Sequence, residues 1–480
     1  MQLPKTFNQC LTDLMKNSQL SATKLGTQLR CKTELKRIMN DQSTHKNREQ
    51  LYEQLVANAV FSRDELARLQ TALHVSRIGI ESYLSRHSIV QLLSSENNQP
   101  EHVLHMVKGG TLSERLQCFS DSDSIDILCV NCCFNNLYHS LAPLFSDPKR
   151  SIQMNHYIRI SHGGYNMATI INAVLPIIFD SRYNLYKLES EHANITNSLG
   201  IAGNILSIVT RKGVTTQEYF FILKDHESVY ELPNSNSSKL FDFISEILIG
   251  STPPPVQVKE DLGRASSYNE MLMRILSLEL NRATYYLSPD ICYMQIPVDI
   301  GLQAFADGNA FPPEVKQNLV DTAVSLHSQR HHNFYYKHKH NFSIISLDGC
   351  RQFLETGRST DHFAGFRSFT IKERMEIFNL MIERANNSPF YHPFLLLKPS
   401  FFSKYICVVY DQLGILLCTY DTSYQLNVDT QMIFLALPEF ADRFTDCYLD
   451  FLLPEHCHTK EESLRLLTDL YDEYAEKYSV

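Results

Sequence analysis

No apolar run in this sequence is long enough to cross a lipid bilayer. The longest, Ala173–Phe179, falls far short of the roughly 18 apolar residues that a membrane-spanning helix requires. The first seventeen residues also contain no apolar stretch of signal-peptide length. We therefore expect a cytoplasmic protein with no membrane partner.

The sequence also lacks the short motifs that mark common catalytic sites. Two glycine-containing turns, at Lys108–Thr111 and Gly357–Thr360, do not have the spacing of a phosphate-binding loop. Neither G-x-S-x-G nor H-E-x-x-H occurs. We interpret the chain as a protein that is not an enzyme and that uses no cofactor or metal. An enzyme within residues 96–480 is kept as an alternative, because catalytic groups need not be close in sequence.

The twelve cysteines are expected to be free thiols. A chain of 480 residues with this cysteine content and no secretory leader is typical of a reducing compartment. Cys129, Cys132 and Cys133 have C-x-x-C-C spacing, but the second pair that a zinc site needs is missing at the usual distance. Their apolar neighbours predict a buried strand, in which cysteine packs as a small apolar side chain.

Histidines and cations are concentrated between His327 and His340. Arg330, Lys337 and Lys339 lie among the five histidines, and the stretch has no carboxylate. Three cations would oppose a divalent metal ion. An exposed basic surface is the favoured interpretation, and binding of an anion or a phosphate group is the functional alternative.

Charge is distributed unevenly along the chain. The net charge is −9, yet residues 1–50 contain nine Lys/Arg and four Asp/Glu, an excess of five positive charges. The remaining residues therefore carry a net charge of −14. A basic N-terminal region on an acidic body favours a polyanion-binding module attached to a part that does not bind polyanions.

Apolar spacing near the N-terminus predicts a bundle of short helices. Residues 7–16 and 46–58 each repeat apolar side chains at helical intervals. Ser21 is a predicted N-cap. Gly26 is a small residue that would let another helix approach closely, or it is only a weak helix position. Ser62–Glu65 has the pattern of a capping box that begins a further helix, and another helix is predicted from Ile78 as far as Leu92. A further helix is predicted after Cys31. Its apolar residues Leu35, Ile38 and Met39 would face the core, so its cations would face outward. Such a helix suits insertion into the major groove of DNA, and a solvated helical face is the alternative.

The segment Leu20–Asp41 (LSATKLGTQLRCKTELKRIMND) resembles the helix-turn-helix of Cro/C1-type (XRE-like) transcriptional regulators. The likeness extends over residues 7–90 at most and rests on Leu20-Ser21, Leu25-Gly26, Leu29-Arg30-Cys31 and Leu35-x-x-Ile38. It implies a transcriptional regulator that binds double-stranded DNA as a homodimer. Lys32, Thr33 and Lys36 would then face the groove. Gln28, Arg30 and Arg37 would face phosphates, and Ser21 completes the predicted DNA-binding set.

Two alternatives concern this same region. The segment Phe61–Leu84 has a similar pattern with a turn at Val75–Arg77, and it competes with Leu20–Asp41 as the DNA reader. Arg30 also stands where the family usually has glycine, and the turn is one residue short. Both departures favour a protein-interaction scaffold with a degenerate helix-turn-helix.

Beyond residue 95 the sequence predicts strands interleaved with helices, which is typical of α/β or α+β packing. The predicted strands include two that turn at Arg211–Gly213 and one at about Cys292–Pro297. No repeat period is visible. Pro253–Pro255 cannot continue a helix and indicate a domain boundary. We therefore predict a multidomain chain with an all-α helix-turn-helix bundle at 1–95, an α/β domain at 96–250 and an α+β domain at 256–480. The large body would sense a small-molecule or peptide effector, or mediate assembly.

Overall fold

The computed structural model forms two compact units, one of N-terminal helices and one built on two β-sheets. None of the helices described is both long enough and apolar enough to cross a bilayer. The residues described are 5–29, 31–40, 42–78, 116, 119, 122–132, 141–142, 144–147, 150–160, 167–188, 204–223, 229–231, 244, 246, 248, 254–264, 268–279, 282–292, 295–307, 325, 328–332, 335, 339–359, 367–398, 405–419 and 431–479.

The described part of the first unit contains five helices, and it confirms the helical N-terminal region predicted from the sequence. The helices are α1 (Phe7–Asn17), α2 (Ala22–Gln28), α3 (Lys32–Met39), α4 (His45–Ala57) and α5 (Arg63–Ile78). Each helix contributes apolar side chains to a shared core. Its most deeply buried members are Phe7, Leu11, Leu25, Leu35, Ile38, Leu55 and Leu69.

Side-chain caps fix where α2 and α5 begin. The hydroxyl of Ser21 accepts a hydrogen bond from the backbone amide of Lys24 over 3.2 Å, which satisfies a free donor of the first turn. At the start of α5, the Ser62 amide donates to the Glu65 carboxylate over 2.9 Å. The Glu65 amide in turn donates to the Ser62 hydroxyl over 3.4 Å. Both predicted helix starts are confirmed.

The turn predicted at Val75–Arg77 is wrong. α5 continues without interruption through these residues to Ile78, and Val75 is buried. The hydroxyl of Ser76 also accepts a hydrogen bond from the Phe7 amide over 2.6 Å, so this part of α5 is held against the start of α1. The second helix-turn-helix interpretation therefore fails over the residues described. The helix predicted beyond Ile78, as far as Leu92, lies outside them.

The second unit is a mixed α/β body with two seven-stranded sheets. The first sheet contains β1 (Ser124–Val130), β2 (Ser151–Ile158), β3 (Tyr183–Lys187), β4 (Asn204–Lys212), β5 (Thr215–Leu223), β6 (Val229–Glu231) and β7 (Val256–Gln257). The second contains β8 (Lys259–Asp261), β9 (Thr284–Leu287), β10 (Asn341–Ile345), β11 (Tyr391–Leu395), β12 (Tyr405–Tyr410), β13 (Gly414–Thr419) and β14 (Met432–Leu435).

The two sheets share one strand order. The first runs β3-β2-β1-β4-β5-β6 and the second β11-β10-β9-β12-β13-β14. In each sheet the first three of these strands are parallel, and the strands that follow are antiparallel. The body therefore contains two tandem copies of one six-stranded arrangement. The repeat is one of topology, because the copies share strand order without a visible repeat period in the sequence.

One short segment of chain belongs to both sheets. β7 pairs with β3 of the first sheet, and β8 pairs with β14 of the second. Between them, the Val258 amide donates to the Leu185 carbonyl over 3.0 Å, and the Val258 carbonyl accepts from Ala436 over 2.8 Å. The chain crosses between the sheets at this residue. The domain boundary predicted at Pro253–Pro255 stays a prediction.

Helices accompany both sheets. They are α6 (Met167–Val174), α7 (Tyr268–Glu279), α8 (Val298–Asp307), α9 (Leu347–Thr356), α10 (Ile371–Asn387), α11 (Pro438–Cys447) and α12 (Lys460–Tyr478). A π-helical segment, Tyr448–His456, follows α11. The apolar faces of α9, α10 and α12 pack into one core with the second sheet, where Phe353, Phe378 and Leu467 are fully buried.

One strand prediction in the body is wrong. The segment Cys292–Pro297 was expected to be extended. Instead, the amide of Gln295 donates to the carbonyl of Cys292 over 2.9 Å, and the side-chain carbonyl of Gln295 accepts from the amide of Cys292 over 2.8 Å. Neither Cys292 nor Gln295 belongs to a strand. The strand lies earlier, at β9, where the aromatic and β-branched residues TYYL favour extended backbone.

Candidate nucleic-acid interface

α3 presents a basic outer face and an apolar inner face. Leu35 and Ile38 are buried in the bundle core. The four predicted groove and phosphate contacts of this helix all have exposed side chains: Lys32, Thr33, Lys36 and Arg37. Positions i, i+1, i+4 and i+5 lie on one side of a helix, so the structure brings these four residues to a single surface.

Gly26 allows α2 and α3 to cross closely. A Cβ atom at this position would lie 2.9 Å from the Cα of Lys32, closer than real Cβ contacts. The Gly26 carbonyl also accepts a hydrogen bond from the Cys31 amide over 3.0 Å, which closes the end of α2 onto the connection to α3. The close approach predicted at Gly26 is confirmed.

The remaining predicted contacts lie on α2 or next to it. Ser21 is exposed and caps the helix, and its hydroxyl hydrogen stays available to donate to a second group. Gln28 is exposed at the last position of α2. Lys24, which sequence reasoning did not select, is also exposed on this helix. Arg30 lies outside the residues described.

Glu34 connects α3 to α4. Its carboxylate accepts a hydrogen bond from the side-chain amide of Asn47 over 2.6 Å. A second carboxylate oxygen lies 3.9 Å from Nη1 of Arg37, whose side chain is 62% exposed. Glu34 therefore holds the basic helix in position and offsets part of its charge. Sequence reasoning missed Asn47, because nothing local relates residues thirteen positions apart.

Cys129 of β1 and Cys132, two residues after that strand, belong to the core. Cys129 and Cys132 are fully buried, and the thiol of Cys132 donates to the carbonyl of Ile205 over 3.0 Å. Burial raises the pKa of the Cys132 thiol well above its usual range, so it stays protonated and unreactive at neutral pH. The core-packing interpretation is confirmed for these two residues. Cys133 lies outside the residues described.

The described residues of the histidine-rich stretch do not share a single basic surface. Arg330 is buried and forms an ion pair with buried Glu279, with a distance of 2.7 Å between Nη2 and Oε1. His331 is buried, whereas His340 is exposed and its Nδ1 lies 2.9 Å from Nε2 of His392. Burial, with the nearby Lys460 and His340, lowers the pKa of His392 to about 4. Among the described residues of the stretch, therefore, the cation Arg330 is paired with Glu279 inside the protein and contributes no charge to the surface.

Comparisons with known proteins place the chain in no family. No family model matches the sequence, and no curated protein matches it. Solved structures that match include the crystal structure of polyphosphate kinase from Porphyromonas gingivalis. The sequence identity is 9%, and the alignment covers 78% of this chain and 55% of that structure, with a TM-score of 0.23.

This comparison corrects one expectation. The sequence was interpreted as that of a protein that is not an enzyme, and the matching structure is a kinase, so that interpretation is withdrawn. The physical reason is that catalytic groups are assembled by the fold and need leave no local motif. At this TM-score the likeness itself carries no argument about the chemistry of the present chain.

Proposed function

We propose that the protein is a transcriptional regulator that binds double-stranded DNA through its N-terminal bundle. The observation that supports this most is the outer face of α3, where Lys32, Thr33, Lys36 and Arg37 are exposed together above a buried apolar face. Cations on a helix surface attract the phosphate backbone, and their donors can reach base edges.

The dimensions of α3 suit the major groove of B-form DNA. An α-helix with its side chains is about 10–12 Å across, which matches the groove width of about 12 Å. Lys32, Thr33 and Lys36 would contact base edges. Gln28, Arg30 and Arg37 would contact phosphates, and the hydroxyl of Ser21 would donate to a phosphate beside the start of α2.

The proposed regulator acts as a homodimer in the cytoplasm. One small helical module gives weak binding, and two modules with their α3 helices about 34 Å apart would read two half-sites on one side of the duplex. The body that contains both sheets would sense an effector or hold the dimer together. Its net negative charge keeps that part away from DNA.

A mobility-shift experiment with the full chain tests the proposal. Genomic fragments are incubated with the protein at about 50 mM salt, and the fragments whose mobility is reduced are recovered and sequenced. Their affinity for the protein is then measured at about 50 mM and about 200 mM salt. The proposal predicts retained fragments with a shared sequence and an affinity that falls steeply with salt. Failure to retain any fragment at the lower salt concentration would rule it out.

A protein-interaction scaffold is the second candidate. The observation that favours it is the position of Glu34, which lies close to Arg37 and reduces the positive charge of α3. A scaffold would leave every DNA fragment unbound, and it would associate with another protein through the same bundle. The same mobility-shift experiment therefore distinguishes the two candidates.

A further inference from the structure

A cavity lies beside the end of α10. Its volume is about 450 Å³, within the range of sites that bind small molecules. Polar groups and apolar groups both line it. The residues that matter here are Tyr335, Leu380, Arg384, Asn387, Ser388 and Phe390.

Arg384 provides a positively charged donor in this cavity. Its guanidinium carbon lies 4.4 Å from the ring centroid of Tyr335, so the planar group is held against an aromatic surface. Its Nη1 atom is buried, and no acceptor among the described residues lies within hydrogen-bonding distance. A buried charged donor without an acceptor is costly, and an anionic ligand would supply the acceptor.

Hydrogen bonds fix the wall around this arginine. The hydroxyl of Ser388 donates to the carbonyl of Tyr335 over 3.2 Å and accepts from the amide of Phe390 over 3.2 Å. The Ser388 amide donates to the carbonyl of Arg384 over 2.8 Å. The aromatic surface and the arginine are therefore held in place before any ligand arrives, which reduces the entropy lost on binding.

The remaining charges decide which anion fits. Glu383 also lines the cavity, and the C-terminal end of α10 carries the negative end of its helix dipole. Both oppose a doubly charged phosphate more strongly than a singly charged carboxylate. Leu380, Pro389 and Phe390 provide apolar surface for the body of a ligand. The geometry points to a small monocarboxylate with an aromatic or aliphatic body, whose carboxylate accepts from Arg384. We propose this cavity as its binding site.

Phenylacetate is a suitable probe for this site. Its affinity for the full chain is measured by calorimetry at millimolar concentration, with phenethylamine and inorganic phosphate as charge controls. We expect phenylacetate to bind and both controls to bind at least tenfold more weakly. Arg384→Gln should reduce phenylacetate affinity about tenfold or more, because it removes a charge-assisted hydrogen bond. Arg465→Gln, an exposed arginine paired with Asp469, should leave the affinity unchanged.

A second variant, Asn387→Trp, tests the site independently in case Arg384→Gln does not fold. Asn387 is exposed at the cavity wall, so Asn387→Trp should occupy part of the cavity and weaken phenylacetate binding, with little effect on the unfolding midpoint. Absence of phenylacetate binding to the unmodified chain, or affinities of Arg384→Gln and Asn387→Trp equal to that of the unmodified chain, would overturn the proposal. So would tighter binding of phosphate than of phenylacetate. DNA is absent from these measurements, so their outcome does not depend on the proposed DNA binding.

Discussion

The side-chain amide of Asn47 donates a hydrogen bond to the carboxylate of Glu34 over 2.6 Å and so joins α4 to α3. α3 is only eight residues long, too short to be stable by itself in water. Its orientation therefore depends on contacts with its neighbours. This bond, the apolar core and the close crossing at Gly26 are three such contacts.

Removing the amide of Asn47 should weaken both the bundle and its proposed DNA binding. Asn47→Ala leaves Glu34 without this donor, and we expect a loss of about 1 kcal/mol in the free energy of unfolding. DNA affinity should fall several-fold, because α3 is less firmly held. Urea denaturation and a binding titration measure the two effects. Gln50→Ala, an exposed change on the same helix, is the control, and an equal response of both variants would refute the role of Asn47.

Gly26→Ala should destabilise the bundle although alanine is the better helix former. The new Cβ would lie 2.9 Å from the Cα of Lys32, so the backbone of α3 must move. Such overpacking costs about 1–3 kcal/mol, which exceeds or matches the gain of about 1 kcal/mol in helix propensity. Thermal unfolding measures the net effect. Thr23→Ala, an exposed change on α2, should be neutral or stabilising, and a Gly26→Ala protein more stable than the unmodified chain would contradict the close crossing.

The buried ion pair of Glu279 and Arg330 gives a prediction for the body. Their side chains are 4% and 8% exposed, and the hydroxyl of Tyr286 also donates to Glu279 over 3.2 Å. Arg330→Met should lower the free energy of unfolding by about 3–5 kcal/mol, because it leaves a buried carboxylate without its partner. The double variant Arg330→Met with Glu279→Gln should recover much of that loss. A double variant as unstable as the sum of the single variants would show that the two charges do not interact.

His156 makes the stability of the body depend on pH. Its imidazole is fully buried in β2, with Nδ1 2.9 Å from the hydroxyl of Tyr183, and burial lowers its pKa from about 6.5 to about 3. The folded state therefore binds this proton less readily than the unfolded state does. The contribution of neutral His156 is fully present above about pH 6.5, and it is lost as the pH falls towards 3.

Urea denaturation at several pH values measures this effect. Between pH 7 and pH 5 the free energy of unfolding of the unmodified chain should fall by on the order of 2 kcal/mol more than that of His156→Gln. Glutamine removes the titrating group and keeps a polar side chain at the same place. Parallel stability curves for the two proteins would show that His156 does not titrate on unfolding.

Local signals were sufficient to predict much of the fold. The capping pair Ser62 and Glu65, the N-cap Ser21 and the apolar spacing of α1 and α4 each act within one helix, and each is found as predicted. The hairpin of β4 and β5, predicted to turn at Arg211–Gly213, also depends on neighbouring residues only. Gly213 has a positive φ of 56°, which glycine adopts readily.

Long-range relationships could not be predicted in this way. The strand order shared by the two sheets can be recognised only when the pairing of the strands is known. β7 and β8, for example, are adjacent in sequence but belong to different sheets. The same limit applies to the candidate interface. The exposed side of α3 follows from its apolar spacing, whereas the bond between Asn47 and Glu34 depends on how α3 and α4 pack. The cavity at Arg384 joins Tyr335 to α10 and likewise has no local signature.

The most direct test of the central proposal is the DNA affinity of Lys36→Ala across a series of salt concentrations. If α3 binds DNA, this variant should bind more weakly, and the slope of log affinity against log salt should become smaller by about one, since one cation is lost. Lys16→Ala, an exposed lysine at the end of α1, serves as the matched control. Unchanged affinity in both Lys36→Ala and Lys32→Ala would show that α3 does not contact DNA.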